Sequence, residues 1–432
     1  MKYEEAIAHL DGLINHEAVP RAGAVAGLST DPMVEIMAML GEPHRSYPVI
    51  HVTGTNGKGS SVRMMEALLE GMGLRTGAYL SPHLESTAER IRTGGETISE
   101  DAFGEVIGDV VLALEAHDTV AATWFETVTA AALLHFANEA VDVAVIEVGM
   151  LGRYDATNVV EAQVACVTNV GLDHSTGEGD WQSVIAGEKA GIIEATSTLV
   201  LGEEDPRLVP IFLDEGPERA VVRGHDFDVV EDRLAVGGRL VSLRTPRAVY
   251  DDVFLGLHGT FQATNASLAI TAVEEFFGAA LPGDVVEEAL GGVVVPGRLE
   301  FVRRSPMILL DTAHNVPGAV ALAETLTDDF SHGGRRFLLL GMQDGRVPID
   351  ICRALRVHEY QLVVTCTAPT ARGIHADALA AAVRSAGGTA DAVVDVDAAI
   401  EHLLGQAEDD DLIVVAGTNP VVGRIRSIAD EL

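Results

Sequence analysis

Lysine is nearly absent from this chain: 432 residues contain three, Lys2, Lys58 and Lys189. Arginine carries a surface charge equally well, but it lacks a compact ammonium and does not lose its proton to become a nucleophile. The two internal lysines, both inside motif-like segments, are therefore marked for chemistry. Cysteine is equally scarce, at Cys166, Cys352 and Cys366, an odd number with no Cys-x-x-Cys pair. That spacing excludes a disulfide framework or a zinc cluster as the organising device and is what a reducing cytoplasm permits. Aromatic residues make up 5% of the chain, so its cores must be built from Val, Leu, Ile and Ala. No run reaches the roughly 20 apolar residues that span a bilayer. The start, Met-Lys-Tyr-Glu-Glu, has no basic segment followed by an apolar one, so no signal peptide is expected and the expected location is cytoplasmic.

Positive charge is the last shortage. Sixty-five acids face 29 Lys plus Arg, a formal charge of −36. A nucleic-acid backbone or an anionic membrane is therefore not the expected partner. Acid excess with so little lysine is the signature of a heavily solvated surface and suggests a halophilic protein, working where concentrated salt screens self-repulsion.

What is present is 47% apolar residues, ample for large cores. Short β-branched runs alternate with Ala/Leu-rich helical patterns, which predicts parallel sheets covered by helices. The expected strands are 49–53, 143–148, 164–170 and 199–201, then a second series at 307–310, 337–341, 362–365, 392–396 and 412–416. Residues 220–257 alternate in polarity and read as a small antiparallel patch. The Gly/Val/Pro stretch 291–298 is the expected junction.

Gly54, Gly57 and Gly59 stand between the first strand and a helical pattern starting near Ser60. Backbone amides and a helix N-terminus there can surround a polyphosphate, with Lys58 as a point charge. Gly59 separates Lys58 from Ser60, so the strict G-x-x-x-x-G-K-[ST] pattern is not met, and an ordinary strand-to-helix turn fits the loop taken alone. Glu147 ends an apolar strand on the side where parallel sheets present functional groups. Ser60, Ser81 and Glu147 supply the hard oxygens that Mg²⁺ takes beside nucleotide phosphates, although a carboxylate so placed suits an ion pair equally well. Asp311 and His314 follow a strand of the second series in the same manner. The expected fold is α/β: a P-loop-type, mostly parallel sheet with the antiparallel patch over residues 1–295, then a smaller Rossmann-like α/β domain over 296–432.

The segment Pro48 to Ser60, with Gly-Thr-Asn-Gly-Lys-Gly-Ser, resembles the Mur ligase superfamily in its folylpolyglutamate synthase and dihydrofolate synthase branch. Ser-Pro-His-Leu (Ser81 to Leu84), Glu-Arg-Ile-Arg (Glu89 to Arg92), Thr-Trp-Phe-Glu (Thr123 to Glu126) and the segment Glu147 to Asn158 resemble it in order and spacing. So do Thr168 to His174, Gln262 with Asn265, Pro296 to Glu300, Asp311 to Asn315 and Ala416 to Gly423. The resemblance implies an ATP-dependent ligase that adds L-glutamate to dihydropteroate, to folates, or to both, through an acyl phosphate. Residues 1–295 would be the ATP-binding central domain and 296–432 the ligase domain.

By the same resemblance, Gly54, Thr55, Asn56, Gly57, Lys58, Gly59 and Ser60 hold ATP, together with Asn265, Arg298 and Asp311, while His314 approaches the phosphates. Ser60, Ser81, Glu147 and His174 would serve two Mg²⁺ sites, and Lys189 would carry a CO₂-derived carbamate beside a metal. Lys58, Lys189, His314 and Asp311 are the implied catalytic set. Thr123, Trp124, Phe125, Glu126, Tyr154, Asp155 and Ala156 are the implied pterin or folate contacts; read alone, Trp124 and Phe125 fit a core as well. Met150, Leu151, Tyr154 and Thr312 depart from the branch's usual residues and put acceptor choice in question more than ATP chemistry. The expected partners are small molecules, and the expected state is a monomer. A Mur-type ligase for another carboxylate acceptor and a non-catalytic ATP-binding regulator are the alternatives.

Overall fold

The computed structural model describes residues 1–15, 29–117, 120–172, 179–330 and 333–432. Among them, seventeen strands form three sheets. The first holds β1 (Val49–Thr53), β2 (Thr76–Tyr79), β3 (Ile91–Thr93), β4 (Glu96–Thr97), β5 (Val143–Glu147), β6 (Ala162–Val167), β7 (Thr198–Leu201) and β8 (Arg219–Val222). Their order is β4-β3-β2-β5-β1-β6-β7-β8, parallel except at the β3 and β4 edge.

Central β1 is buried along its whole length, as a parallel strand covered on both faces must be. Ile50 and Val52 join the core beneath the helices Lys58–Gly71 and Thr260–Phe277, while Val49 joins the core of the opposite face with the helix Trp124–Asn138. Each such aliphatic side chain stabilises the fold by roughly 1.5–3 kcal/mol. The loop leaving β1 leads through its helix to β2 on one side, and that leaving β6 leads to β7 on the other, so a crevice opens between the ends of β1 and β6.

A separate antiparallel sheet comprises β9 (Asp228–Ala235), β10 (Gly238–Arg244) and β11 (Val249–Leu255). The third sheet has the order β12-β13-β17-β14-β15-β16, with β12 (Arg298–Arg304), β13 (Met307–Asp311), β14 (Arg336–Met342), β15 (Leu362–Thr367), β16 (Ala390–Ala392) and β17 (Leu412–Gly417). All but the edge strand β12 are parallel.

The structure moves three expected elements. β8 pairs parallel with β7, so the antiparallel patch starts at Asp228 rather than at residue 220. The expected strand at 392–396 lies at 390–392, because Asp395 caps a helix, accepting from the Ala398 amide at 2.9 Å. The third expected strand stops at Val167, and the chain beyond it turns onto the phosphate loop, where the Thr55 amide donates to Asn169 O.

The two halves meet at several named contacts. Arg239 on β10 donates to Asp329 at 2.5 Å, and the Gly259 amide donates to the other oxygen of Asp329 at 2.9 Å. The segment after β2 lies against the helix Asn419–Ser427: Asn419 donates to His83 O at 3.1 Å, and Arg426 pairs with Glu85 and with Glu300. A Cβ on Gly423 would lie 2.1 Å from Leu84 O, so only glycine permits that approach.

Candidate active site

The phosphate loop is built by close approach. Gly54 has φ +151°, and a Cβ there would sit 1.8 Å from the Thr168 hydroxyl; Gly57 has φ +84°, and its Cβ would sit 2.4 Å from Asn265 Oδ1. Gly57 is the N-cap of the helix that begins with Lys58 and Gly59, so the helix's unpaired amides open toward the loop. Asn265 in turn donates to Gln262, which donates to the Ser60 hydroxyl at 3.3 Å. Thr55 exchanges hydrogen bonds with the Gly171 backbone through its hydroxyl, which fixes the far wall of the crevice.

Lys58 Nζ donates to Gly54 O at 3.2 Å and stands 3.9 Å from Glu147 Oε1. Glu147, 4% exposed at the end of β5, accepts from the Ser81 amide at 3.1 Å and lies beside Gly59. Burial pushes its carboxyl pKa up, while Lys58, the Ser81 amide, Arg298 and Arg90 draw it down. A desolvated carboxylate, with the hydroxyls of Ser60 in the first turn of the helix Lys58–Gly71 and of Ser81 after β2, is an oxygen donor set that fits Mg²⁺ shared with phosphates. Among the described residues no group of three or more His, Cys, Asp or Glu is placed to hold a metal ion. His174 and Asp173 lie outside the described residues.

Lys189, 3% exposed near the end of the helix Trp181–Ala190, lines one cavity together with Lys58, Gly54, Thr55 and Leu151. The two lysines singled out by composition thus share one cavity wall.

On the other half, Asp311 ends β13 and accepts from the Leu299 and Ala313 amides at 3.1 and 2.8 Å. Burial raises its pKa to about 6, opposed by Arg298. The positive charge of Arg298 favours the ionised form of both Asp311 and Glu147. His314 Nδ1 pairs with Thr312 O at 2.8 Å.

The expected acceptor contacts divide. Thr123 and Glu126 form a capping box, with Glu126 Oε2 accepting from both the amide and the hydroxyl of Thr123 at 2.7 Å, so that oxygen is spent on the helix start. Trp124 is buried under the Arg90 guanidinium, 4.6 Å from the ring centroid, and half-buried Phe125 packs on Gly149. Tyr154 is exposed, and Ala156 is in the core. Asp155 accepts from the Met150 amide at 2.8 Å and from the Thr157 hydroxyl at 2.6 Å, so it shapes the loop after β5; burial raises its pKa.

Arg90, stacked on Trp124, and Asn169 and Asn315, both bonded to Asn56, adjoin these residues and were not singled out from the sequence. Arg90 stands in Glu-Arg-Ile-Arg and Asn315 ends Asp-Thr-Ala-His-Asn, so the motifs contained the signal.

Comparison with known proteins agrees with this geometry. Residues 52–273 match the Mur ligase middle domain and residues 297–419 the Mur ligase glutamate ligase domain. The chain is 38% identical to the dihydrofolate synthase/folylpolyglutamate synthase of Mycobacterium tuberculosis, over 91% of this chain and 88% of the relative. It superposes on the folylpolyglutamate synthase of the same organism complexed with ADP with a TM-score of 0.91, at 34% identity, covering 99% of this chain and 98% of that one. E. coli FolC in complex with DHPP and ADP gives a TM-score of 0.88 at 25% identity, covering 100% of this chain and 98% of that one. A glycine loop opening onto a helix N-terminus, a buried carboxylate beside Lys58, and a second half that meets the loop at Asn315, together with these likenesses, show that the chain belongs to the dihydrofolate synthase/folylpolyglutamate synthase family of Mur ligases and is an ATP-dependent ligase.

Proposed function

We propose that this enzyme joins L-glutamate to dihydropteroate, to folates, or to both. The observation that carries the reading is the gathering of Lys58, Glu147 and Lys189 around one loop, with the charge of Arg298 from the second half felt by both Glu147 and Asp311. An acceptor carboxylate oxygen attacks the γ-phosphorus of ATP, ADP leaves, and the acyl phosphate that forms is attacked by the glutamate amine, expelling phosphate. Atoms balance as acceptor, ATP and glutamate giving amide, ADP and phosphate.

In this scheme the loop amides and Lys58 hold the transferred phosphoryl charge in a water-poor site, where such donors act most strongly. Asn265 over Gly57 and Asp311 with Arg298 seat the nucleotide. Mg²⁺, held by Ser60, Ser81, Glu147 and His174, and a carbamate on Lys189 would add charge neutralisation at the phosphates. The boundary at 295/296 gives two domains whose closure excludes water from the acyl phosphate. Trp124, Phe125 and the loop held by Asp155 bound the acceptor side.

Purified protein is incubated with ATP, Mg²⁺ and glutamate against dihydropteroate, dihydrofolate and tetrahydrofolate, and products are identified by mass. The expected result is a product one glutamyl residue heavier, with one ADP released per bond. ADP release that ignores every acceptor, or ATP binding without turnover, would sink the reading.

A further inference from the structure

Asn56 belongs to the phosphate loop, yet its polar groups are engaged elsewhere. Its amide donates to Asn169 Oδ1 at 3.1 Å, and its carbonyl accepts from the Thr168 hydroxyl at 2.6 Å and from Asn169 Nδ2 at 3.0 Å. With the backbone pinned on that side, the side chain meets Asn315 of the other half, 259 positions away. Asn315 Nδ2 donates to Asn56 Oδ1 at 3.0 Å, and Asn56 Nδ2 returns a longer contact of 3.5 Å to Asn315 Oδ1.

Asn315 is held as firmly. It is 2% exposed and is the N-cap of the helix Val316–Asp328, its Oδ1 accepting from the Gly318 amide at 2.8 Å. Capping occupies the oxygen and leaves the NH₂ to face Asn56. Pro317, two residues on, packs against Gly171, whose amide is bound by Thr55 of the same loop. Asp311 and His314 precede Asn315 on one short connection, so whatever fixes Asn315 against Asn56 fixes their distance from the phosphate loop.

We propose that the Asn56–Asn315 amide pair is a closure latch: two positioning residues whose side chains meet each other, Asn56 in place of the ATP contact expected of it, and set the second half's nucleotide-facing connection against the phosphate loop. The proposal rests on the ligase reading for its kinetic consequence, but not for its structural one. A neutral pair with one partner buried and the other half-buried, donor matched to acceptor, fixes register while adding no charge beside the phosphates.

Asn315→Ser keeps a capping oxygen but is too short to reach Asn56, and Asn56→Ala removes the other partner. Each single variant is expected to lower kcat about fivefold with a smaller change in the KM for ATP, and the double variant is expected to be no worse than either, as for two ends of one bond. Thermal midpoints should stay within about 2 °C of the parent, so that the loss in kcat is not a loss of folded enzyme. Additive losses near 25-fold, or an unchanged kcat, would overturn the proposal.

Closure is read separately by spin labels on Val34→Cys and Val394→Cys, both exposed positions, since Cys166, Cys352 and Cys366 are buried. A non-hydrolysable ATP analogue should narrow the distance distribution in the labelled parent and fail to do so with Asn315→Ser. Normal closure in Asn315→Ser removes the latch. A parent that closes but glutamylates no acceptor fails the ligase reading instead, and leaves the latch standing.

Discussion

His51 sits in the middle of β1, fully buried, its Nε2 2.9 Å from the Thr157 hydroxyl, which donates onward to Asp155. Because that hydroxyl's proton goes to Asp155, Nε2 carries the hydrogen, and the buried Nδ1, which has no partner to receive a second one, leaves the ring neutral. Burial lowers its pKa to about 3, from 6.5. Unfolded chain therefore binds a proton that the fold refuses, and stability is complete above pH 6.5 and lost as pH falls toward 3. The cost reaches about 2 kcal/mol by pH 5. Urea midpoints measured across this range should flatten in His51→Asn. Asp311 has the opposite sign: its pKa is raised from 3.8 to about 6, so its contribution is present below 3.8 and lost as pH rises through 6. Asp311→Asn should remove that falling limb while weakening ATP binding. Lys58 and Lys189 were legible from sequence because lysine is so rare that each survivor is a signal. Arg90 and Asn315 lay inside recognisable motifs, but what they do there was not legible, because it depends on Trp124 and Asn56, partners that only folding supplies.

The strand-to-helix unit from β1 to the helix Lys58–Gly71 was readable as an element, since an apolar run, three glycines and an amphipathic segment occur in that order. Its tolerances were not readable. Gly54→Ala would force a side chain into Thr168 and into a backbone region that L residues avoid. The expected result is loss of nucleotide binding in titration calorimetry and destabilisation of about 1–3 kcal/mol. β2 escaped the sequence reading because Thr-Gly-Ala-Tyr carries no β-branched run. Its Gly77 is there because a Cβ would come within 2.7 Å of the Phe136 ring, a requirement set by a helix some sixty residues later. β16 was misplaced for a related reason: Asp395 reads as part of a mixed segment until its role as a helix cap is seen.

For the whole molecule, the two-sheet plan and the neighbourhood of Gly291 to Arg298 could be read from the alternation of strand and helix patterns, but the contacts joining the halves could not. Arg239, 5% exposed, is balanced by Asp232 and by Asp329 of the other half. Asp329→Ala strands part of that charge in a dry place and should cost about 3 kcal/mol, seen as a lower urea midpoint, with Gly259 losing its acceptor as well. No helix among the described residues is long and apolar enough to cross a membrane. The charge of −36 sets a further expectation at this scale. Raising KCl from about 0.1 M to about 1 M shortens the screening length from about 10 Å to about 3 Å, and the thermal midpoint should rise; a midpoint highest in dilute buffer would exclude a halophilic adaptation.

The seating of Leu84 on Gly423, with His83 tied to Asn419 and Glu85 to Arg426, has a consequence for anyone recombining this protein with its relatives. A chimera joined at the linker near Gly297 inherits one surface from each parent, and any side chain at the glycine's position levers the Ser81 turn away from Glu147. Segments 81–86 and 419–426 must be transplanted together, as though they were neighbours in the gene.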